Sequence, residues 1–468
     1  MINKNNIHIF GQYFTPSYIV KKYILPEIKD KLYNYIWIDL FAGSGNLIFP
    51  ILDIIPENER IDFFKKHIFL FDIQDKLVDK MITIAENYGI PKDIAQKNIT
   101  KRDSIKDYPV FLLELDLPLF HITNPPYLYI GYISKHPELY YYSEYFKEEN
   151  QGYQDLYQLA LINDLRNNIK NMIYIIPSNF LFGFSVSNKI RNDFLKFYNI
   201  TKTIVFEKEI FEYTKINSMI CFFQRKETKK DTFNNMFNLI KIAKDDKETS
   251  EICQICTKKK YKLTTEFDDF VDNYSAKKPI NVNYYLYESE IVNNFGNKEV
   301  LLLDVNNYKK VKMQVIESLF NKLTYNVLFL KTIDSGKMNM NDKAGLYLIR
   351  DYYGVDGIMV TKSAARTHPI QLFFNPELSI DNQLLLKDYF NLLLNYFRDI
   401  SDSKFLTNFK QSNYSYIRKY LGLRQAKKLI QTFPILSLNQ NEIDIITNLV
   451  QEKEIEKLID FVKKVNSK

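Results

Sequence analysis

The stretch Ile38-Asp39-Leu40-Phe41-Ala42-Gly43-Ser44-Gly45-Asn46 decides how the first half of the chain folds. An apolar run, Tyr35-Ile-Trp-Ile-Asp39, leads into it and reads as a buried strand ending on a carboxylate. Glycines here let the backbone turn tightly and approach a ligand closely before a helix opens. Asp39, at the strand's carboxyl end, can accept hydrogen bonds from an ammonium group or ordered water. The loop alone also fits a plain strand–helix turn. It is no Walker A motif, because no Gly-Lys-Ser/Thr follows.

Working outward, further apolar runs alternate with amphipathic segments. His67-Ile-Phe-Leu-Phe71, Leu119-Phe-His-Ile-Thr123, Met172-Ile-Tyr-Ile-Ile176 and Ser218-Met-Ile-Cys-Phe-Phe223 read as strands, with helical stretches over 76–88 and 153–167. This alternation predicts an α/β domain: a Rossmann-like, mostly parallel, doubly wound sheet with helices on both faces. After Arg225 the charged run Lys226-Glu-Thr-Lys-Lys-Asp231 marks an exit, and the regular alternation is lost. We expect two domains, residues 1–235 and a mixed α/β domain over 236–468, the latter closing in helices over 381–399 and 442–465.

Composition agrees with a folded chain. It has 468 residues, and its 35 Phe and 34 Tyr supply enough apolar surface to exclude dominant disorder. Three cysteines exclude a disulfide scaffold and fit a reducing cytosol. No apolar run is long enough to span a membrane, and the N-terminus has no secretory h-region, so a cytoplasmic location without membrane contact is expected. The net charge of +7 permits a polyanion partner without demanding one.

Two carboxylates continue the pattern of Asp39. Asp72-Ile73 ends the second strand, where an acidic residue can hold ribose hydroxyls; Asp72 also fits a helix N-cap. Asp103, after a short third strand, can accept from an adenine amino group; it also fits a solvated turn. Ile122-Thr-Asn124-Pro125-Pro126-Tyr127 is the more specific signal. Two prolines end a strand and remove two backbone donors, leaving nearby carbonyls out of the sheet ladder. The Asn124 side-chain oxygen and the Pro125 carbonyl can then accept from one planar amino group, and Tyr127 can offer a ring for base stacking.

With these residues in place, the chain resembles the gamma-class amino (N6-adenine) DNA methyltransferases of restriction–modification type. Asp39-Leu-Phe-Ala42-Gly43-Ser-Gly45 resembles their first cofactor motif, and Asn124-Pro-Pro-Tyr127 their catalytic motif. Gly11-Gln-Tyr13-Phe-Thr15-Pro16 resembles the element that caps the methionine end of the cofactor. The resemblance covers roughly residues 11–225. It implies a class I methyltransferase domain with S-adenosyl-L-methionine held by Tyr13, Thr15, Pro16, Asp39, Ala42, Gly43, Gly45, Asp72, Ile73, Asp103 and Asn124. It implies transfer to adenine N6 of a base swung out of double-stranded DNA. Asn124, Pro125, Pro126 and Tyr127 would do the chemistry. A second aromatic on Asn217-Ser-Met-Ile-Cys-Phe222-Phe223-Gln224 would stack on the base; Phe223 is preferred over Phe222, which alternation places on the opposite face. Packing in the core fits both.

The same resemblance implies a target-recognition domain in the second half and a cognate restriction endonuclease as a partner. Residues 404–428 hold seven Lys/Arg and no Asp/Glu, interleaved with Phe405, Phe409, Tyr414, Tyr416 and Tyr420. Lys410, Arg418, Lys419 and Arg424 suit phosphate contacts, and Lys362, Ser363 and Arg366 suit a groove-facing loop. Solvated polar segments fit both stretches equally well. The alternatives are an RNA or protein-glutamine methyltransferase with the same Asn-Pro-Pro-Tyr site, or a catalytically inactive DNA-binding relative. Cytosine C5 chemistry is set aside, because Cys221, Cys253 and Cys256 all lack a preceding Pro. No metal site is expected: Cys253-Gln-Ile-Cys256 lacks a second ligand pair.

Overall fold

The computed structural model describes residues 15–183, 186–211, 217–227, 234–334, 343–361, 369–401 and 421–467. The chain divides into two compact units, Met1–Leu263 and Thr264–Lys468.

The first unit is built on a nine-stranded sheet. Its strands are β1 (Ile36–Asp39), β2 (Ile68–Asp72), β3 (Ile99–Lys101), β4 (Leu119–Thr123), β5 (Asn171–Pro177), β6 (Tyr198–Phe206), β7 (Ser218–Arg225), β8 (Asn234–Ile242) and β9 (Glu248–Cys256). Their spatial order is β3-β2-β1-β4-β5-β7-β6-β8-β9. The pairs among β1 to β5 are all parallel. β7 runs antiparallel to both β5 and β6. β1 and β4 are buried at every position, as expected of strands covered on both faces. Helices include α1 (Asp75–Asn87) and α2 (Leu156–Arg166).

Strand order reverses between β1 and β4. The chain leaves β1 toward β2 and later returns on β1's other side as β4. Ligands of open α/β sheets bind outside the carboxyl strand ends at such a switch point. Asp39 ends β1 and Asn124 follows β4, so the fold sets the two sequence motifs on adjacent strands at one edge.

The unit boundary lies at 263/264, not at 235/236. The sheet continues beyond the charged run that follows Arg225. β8 returns to pair in parallel with β6, and β9 pairs with β8 over nine register positions. Residues 236–263 therefore belong to the first unit.

The second unit holds a four-stranded sheet and a three-stranded sheet. β10 (Asn281–Tyr284), β16 (Ile370–Asn375), β13 (Leu328–Lys331) and β14 (Gly345–Leu348) form the first, in that order. β12 (Lys309–Val315), β11 (Lys298–Asp304) and β15 (Gly357–Met359) form the second. The long helix α3 (Ile380–Ser401) buries Leu386, Tyr389, Phe390, Leu393, Leu394 and Phe397. The C-terminal stretch read as one helix is two, α5 (Gln440–Gln451) and α6 (Ile455–Asn466), following α4 (Leu423–Gln431). Lys453 breaks the pair with a left-handed φ of 58°. Among the described residues no helix is long and apolar enough to cross a membrane.

Candidate active site

The glycine loop is shaped by a carboxylate from the neighbouring strand. Gly43 and Gly45 adopt φ of 59° and 76°, where side chains are strained. A side chain at Gly45 would also run into the Phe49 ring. The Gly43 N–H donates to Asp72 Oδ2 at 2.9 Å, and Gln74 N–H donates to Asp72 Oδ1 at 2.9 Å. Burial pushes the Asp72 carboxyl above its ordinary range. Asp72 thus braces the loop as well as standing at the β2 end, and Ile73 beside it is 44% exposed.

Asp39 is fully buried. Its Oδ1 accepts from the Thr123 hydroxyl at 2.6 Å and the Phe41 N–H at 3.0 Å. Its Oδ2 has no hydrogen-bond partner among the described residues. Burial pushes the carboxyl up to about 6, against those two hydrogen bonds. A buried acceptor without a donor is costly and marks a place where a cationic or N–H group fits. The link to Thr123 also joins the end of β1 to the residue just before Asn124.

Asn124 is oriented from two sides. The Tyr127 hydroxyl lies 2.6 Å from Asn124 Oδ1 and 2.8 Å from the Ile175 carbonyl at the end of β5. Asn124 Nδ2 donates to Thr15 Oγ1 at 3.2 Å, and Asn46 Nδ2 donates to the Thr15 carbonyl at 2.9 Å. Thr15 therefore ties the glycine loop to the Asn-Pro-Pro-Tyr turn. Pro16 follows it as the residue before a short helix. Tyr127 is 5% exposed, its ring edge-on to Tyr157, so its main visible work is to hold the Asn124 amide. Asp103 Oδ2 accepts from the Tyr145 hydroxyl at 2.6 Å. Ala42 anchors the loop through its N–H to the Phe71 carbonyl at 2.8 Å.

Phe223 is not at this edge. β7 opposes β5 with Ser218 across from Pro177 and Phe223 across from Met172. Because β7 is antiparallel, its start lies at the carboxyl edge and Phe223 lies toward the other. Phe223 is 2% exposed and packs against Phe194, Phe180 and Tyr174, with ring centroids 5.1, 5.9 and 6.4 Å away. It is a core residue.

Asp155 escaped the sequence reading. It sits just before α2, and its Oδ1 accepts the Leu128 N–H at 2.9 Å, fastening the chain immediately after Tyr127. Burial pushes its carboxyl up to about 7. An acidic residue directly before an apolar helix was the available signal.

Of the other candidates, Tyr13, Lys362, Ser363, Arg366, Lys410, Arg418 and Lys419 lie outside the described residues. Arg424 lies exposed on α4, whose buried face is Ala426, Leu429 and Ile430. The structure adds a basic edge missed in the sequence: Lys309, Lys310 and Lys312 are exposed on β12. Among the described residues no group of three or more His, Cys, Asp and Glu could hold a metal ion. The three cysteines are free thiols.

A switch-point edge carrying Asp39, Asp72 and Asn124 on a mostly parallel sheet defines a Rossmann-like α/β protein with a nucleotide-type rim. Residues 2–311 match the N-6 DNA Methylase family, and the chain belongs to that family. Among solved structures it is similar to a modification subunit of a putative type I restriction enzyme from Vibrio vulnificus YJ016. That similarity has 16% identity and a TM-score of 0.35, covering 50% of this chain and 48% of that one. The chain thus spans about half the length of that subunit. It is also similar to the type IIL restriction–modification enzyme MmeI in complex with DNA, with 11% identity and a TM-score of 0.49, covering 97% and 75% of the two chains. A third similarity is to a putative class I S-adenosylmethionine-dependent methyltransferase from Listeria monocytogenes, with 16% identity and a TM-score of 0.32, covering 48% and 65%. No curated protein sequence matches the chain.

Proposed function

We propose that this chain transfers a methyl group from S-adenosyl-L-methionine to adenine N6 in double-stranded DNA. The observation that carries this reading is the pairing of Asn124-Pro125-Pro126-Tyr127 with the glycine loop across β1 and β4, within a chain of the N-6 DNA Methylase family.

The residues present fit the cofactor. The buried Asp39 Oδ2 suits an ammonium group such as that of the methionine moiety. The loop at Gly43 and Gly45 leaves backbone close to a ligand, Asp72 suits ribose hydroxyls, and Ile73 and Asp103 suit the adenine. Tyr13, Thr15 and Pro16 would close the methionine end. When bound, S-adenosylmethionine supplies an electrophilic methyl group on a sulfonium.

The chain's own residues then act on the target amine. The Asn124 amide oxygen and the Pro125 carbonyl accept hydrogen bonds from the two N6 hydrogens, which draws the nitrogen from planar toward tetrahedral and exposes its lone pair; once N6 takes the methyl, one of those hydrogens leaves as a proton to solvent. Pro126 keeps the turn rigid, and Tyr127, bonded to Ile175, keeps the Asn124 amide aimed. Alignment and oriented acceptors supply the rate gain, so no covalent enzyme intermediate is needed. We assign base holding to Asn124, Pro125 and the Tyr127 ring, and we withdraw Phe223 from it.

We assign DNA contact to the second unit, through Arg424, the β12 lysines and the segments around Lys362, Ser363 and Arg366 and around Lys410, Arg418 and Lys419. A restriction endonuclease is the partner this chemistry suits. The test is incubation of the purified chain with S-adenosylmethionine labelled in its methyl group and duplex DNA, followed by nucleoside analysis. N6-methyladenine is the expected product. N4-methylcytosine would move the target to cytosine, and label in RNA or protein alone would overturn the DNA assignment. Replacing Lys309 and Lys310 by Ala is expected to reduce the slope of log K against log salt for duplex binding by about 1 per lysine.

A further inference from the structure

Beneath the site lies a largely buried polar cluster that methyl transfer does not use. His121, on β4 three residues before Asn124, places Nδ1 2.6 Å from Asp164 Oδ2, and both side chains are 0% exposed. Asp164, on α2, also accepts the Tyr174 hydroxyl at 2.7 Å and the Tyr108 hydroxyl at 3.1 Å. Burial first, and Asp164 second, hold both phenols far above their ordinary range, so both remain donors. On the ring's other side, the Leu40 N–H donates to His121 Nε2 at 3.2 Å.

That last bond fixes the tautomer. A backbone N–H can only donate, so Nε2 is an acceptor and the ring proton sits on Nδ1, directed at Asp164. β1 and β4 pair in register only as far as Ile38 opposite His121. Beyond that pair, the imidazole carries the connection to Leu40, the residue after Asp39. We propose that His121, held in its Nδ1–H tautomer by Asp164, is a positioning residue that locks the Asp39 end of β1 to the Asn124 end of β4. Resting on the methyltransferase reading, this assigns to His121 the fixed spacing between the cofactor rim and the amine-binding turn. The Thr123–Asp39 bond is the second tie across the same gap.

Three substitutions separate this role from simple core packing. In His121→Gln the amide oxygen reaches where Nε2 accepts from Leu40. In His121→Asn the side chain reaches only where Nδ1 meets Asp164. In His121→Leu all three polar partners are lost: Leu40, Asp164 and the Tyr174 hydroxyl, which lies 3.3 Å from Nδ1. Each variant is compared with wild type for S-adenosylmethionine Kd, kcat, KM and Tm, with assays run well below every Tm. A misplaced reacting centre costs about 10- to 100-fold, so that loss is expected in kcat for Asn and Leu, with Gln close to wild type. The chain has five histidines, so the tautomer can be read by 15N NMR, with the proton expected on Nδ1 of His121. A proton on Nε2, or losses that follow Tm equally in Gln, Asn and Leu, would overturn the proposal. If the wild type binds S-adenosylmethionine but methylates no nucleic acid, the functional reading fails instead. The tautomer, and a loss of cofactor affinity in Asn and Leu that Gln does not share, would still decide the role of His121.

Discussion

The two ends of the same parallel strands differ in kind. At the carboxyl edge, β1, β2 and β4 deliver Asp39, Asp72 and Thr123 into a web of short polar contacts, with Asn124 just beyond. At the amino edge, the rings of Tyr35, Trp37 and Phe120 pack together, with Trp37 and Phe120 stacked at 4.8 Å. One edge concentrates buried groups whose desolvation costs are offset only by well-aimed partners, and the other concentrates apolar area. The difference teaches that direction along a strand, not burial alone, separates chemistry from packing. Phe223 makes the point: it is as buried as Asp39's neighbours, yet it belongs to the packing.

Substitutions at the two edges should therefore fail in different ways, and the largest effect belongs to Asn124. Asn124→Ala removes one of the two oriented acceptors and is expected to lower kcat by about 10²- to 10³-fold. Cofactor Kd, measured by calorimetry, should stay within a few-fold of wild type. A large loss of cofactor binding would erase the division of labour along the carboxyl edge.

Next comes pH. With its carboxyl pushed up to about 6, Asp39 loses its charge as pH falls through that value. Affinity for S-adenosylmethionine is expected to fall about tenfold per pH unit below 6, and Asp39→Asn should flatten that dependence. Stability should move the opposite way. Folding raises Asp39 and Asp155 above the ordinary carboxylate value of 3.8, to about 6 and about 7. The folded chain then binds those protons more tightly than the unfolded chain. Their contribution favours the folded state at low pH and is lost as pH rises from 4 toward 7. Asp155→Asn should weaken that loss, as read from Tm across the range.

The smallest effect sharpens the contrast from the packing side. Phe223→Leu keeps an apolar group of similar volume in the core and should cost about 1 kcal/mol in denaturant unfolding. kcat per folded molecule should be unchanged. A selective loss of kcat would return Phe223 to the site.

Much of the first unit was legible in the sequence because its strands are continuous apolar runs ending on polar residues. β4 was read to the residue, and the Asp39 and Asn124 turns were read with it. What escaped depended on direction or distance. The reversal of β7 moved Phe223 to the wrong edge. The β8–β9 hairpin was missed because charge after Arg225 suggested a boundary, whereas the chain returns to pair with β6. His121 and Asp164 are 43 residues apart, and nothing in either segment announces the partner. Asp155 fell inside the stretch read as helix over 153–167, whereas it precedes the helix and its side chain fastens the Asn-Pro-Pro-Tyr turn.

The most direct measurement is modification-sensitive sequencing of DNA from cells expressing the wild-type chain, beside cells expressing Asn124→Ala. N6-methyladenine at one short sequence in the first culture, and none in the second, is the expected result. The same mark in both cultures, or no DNA mark from a wild-type protein that binds S-adenosylmethionine, would contradict the assignment of Asn124 to adenine methylation.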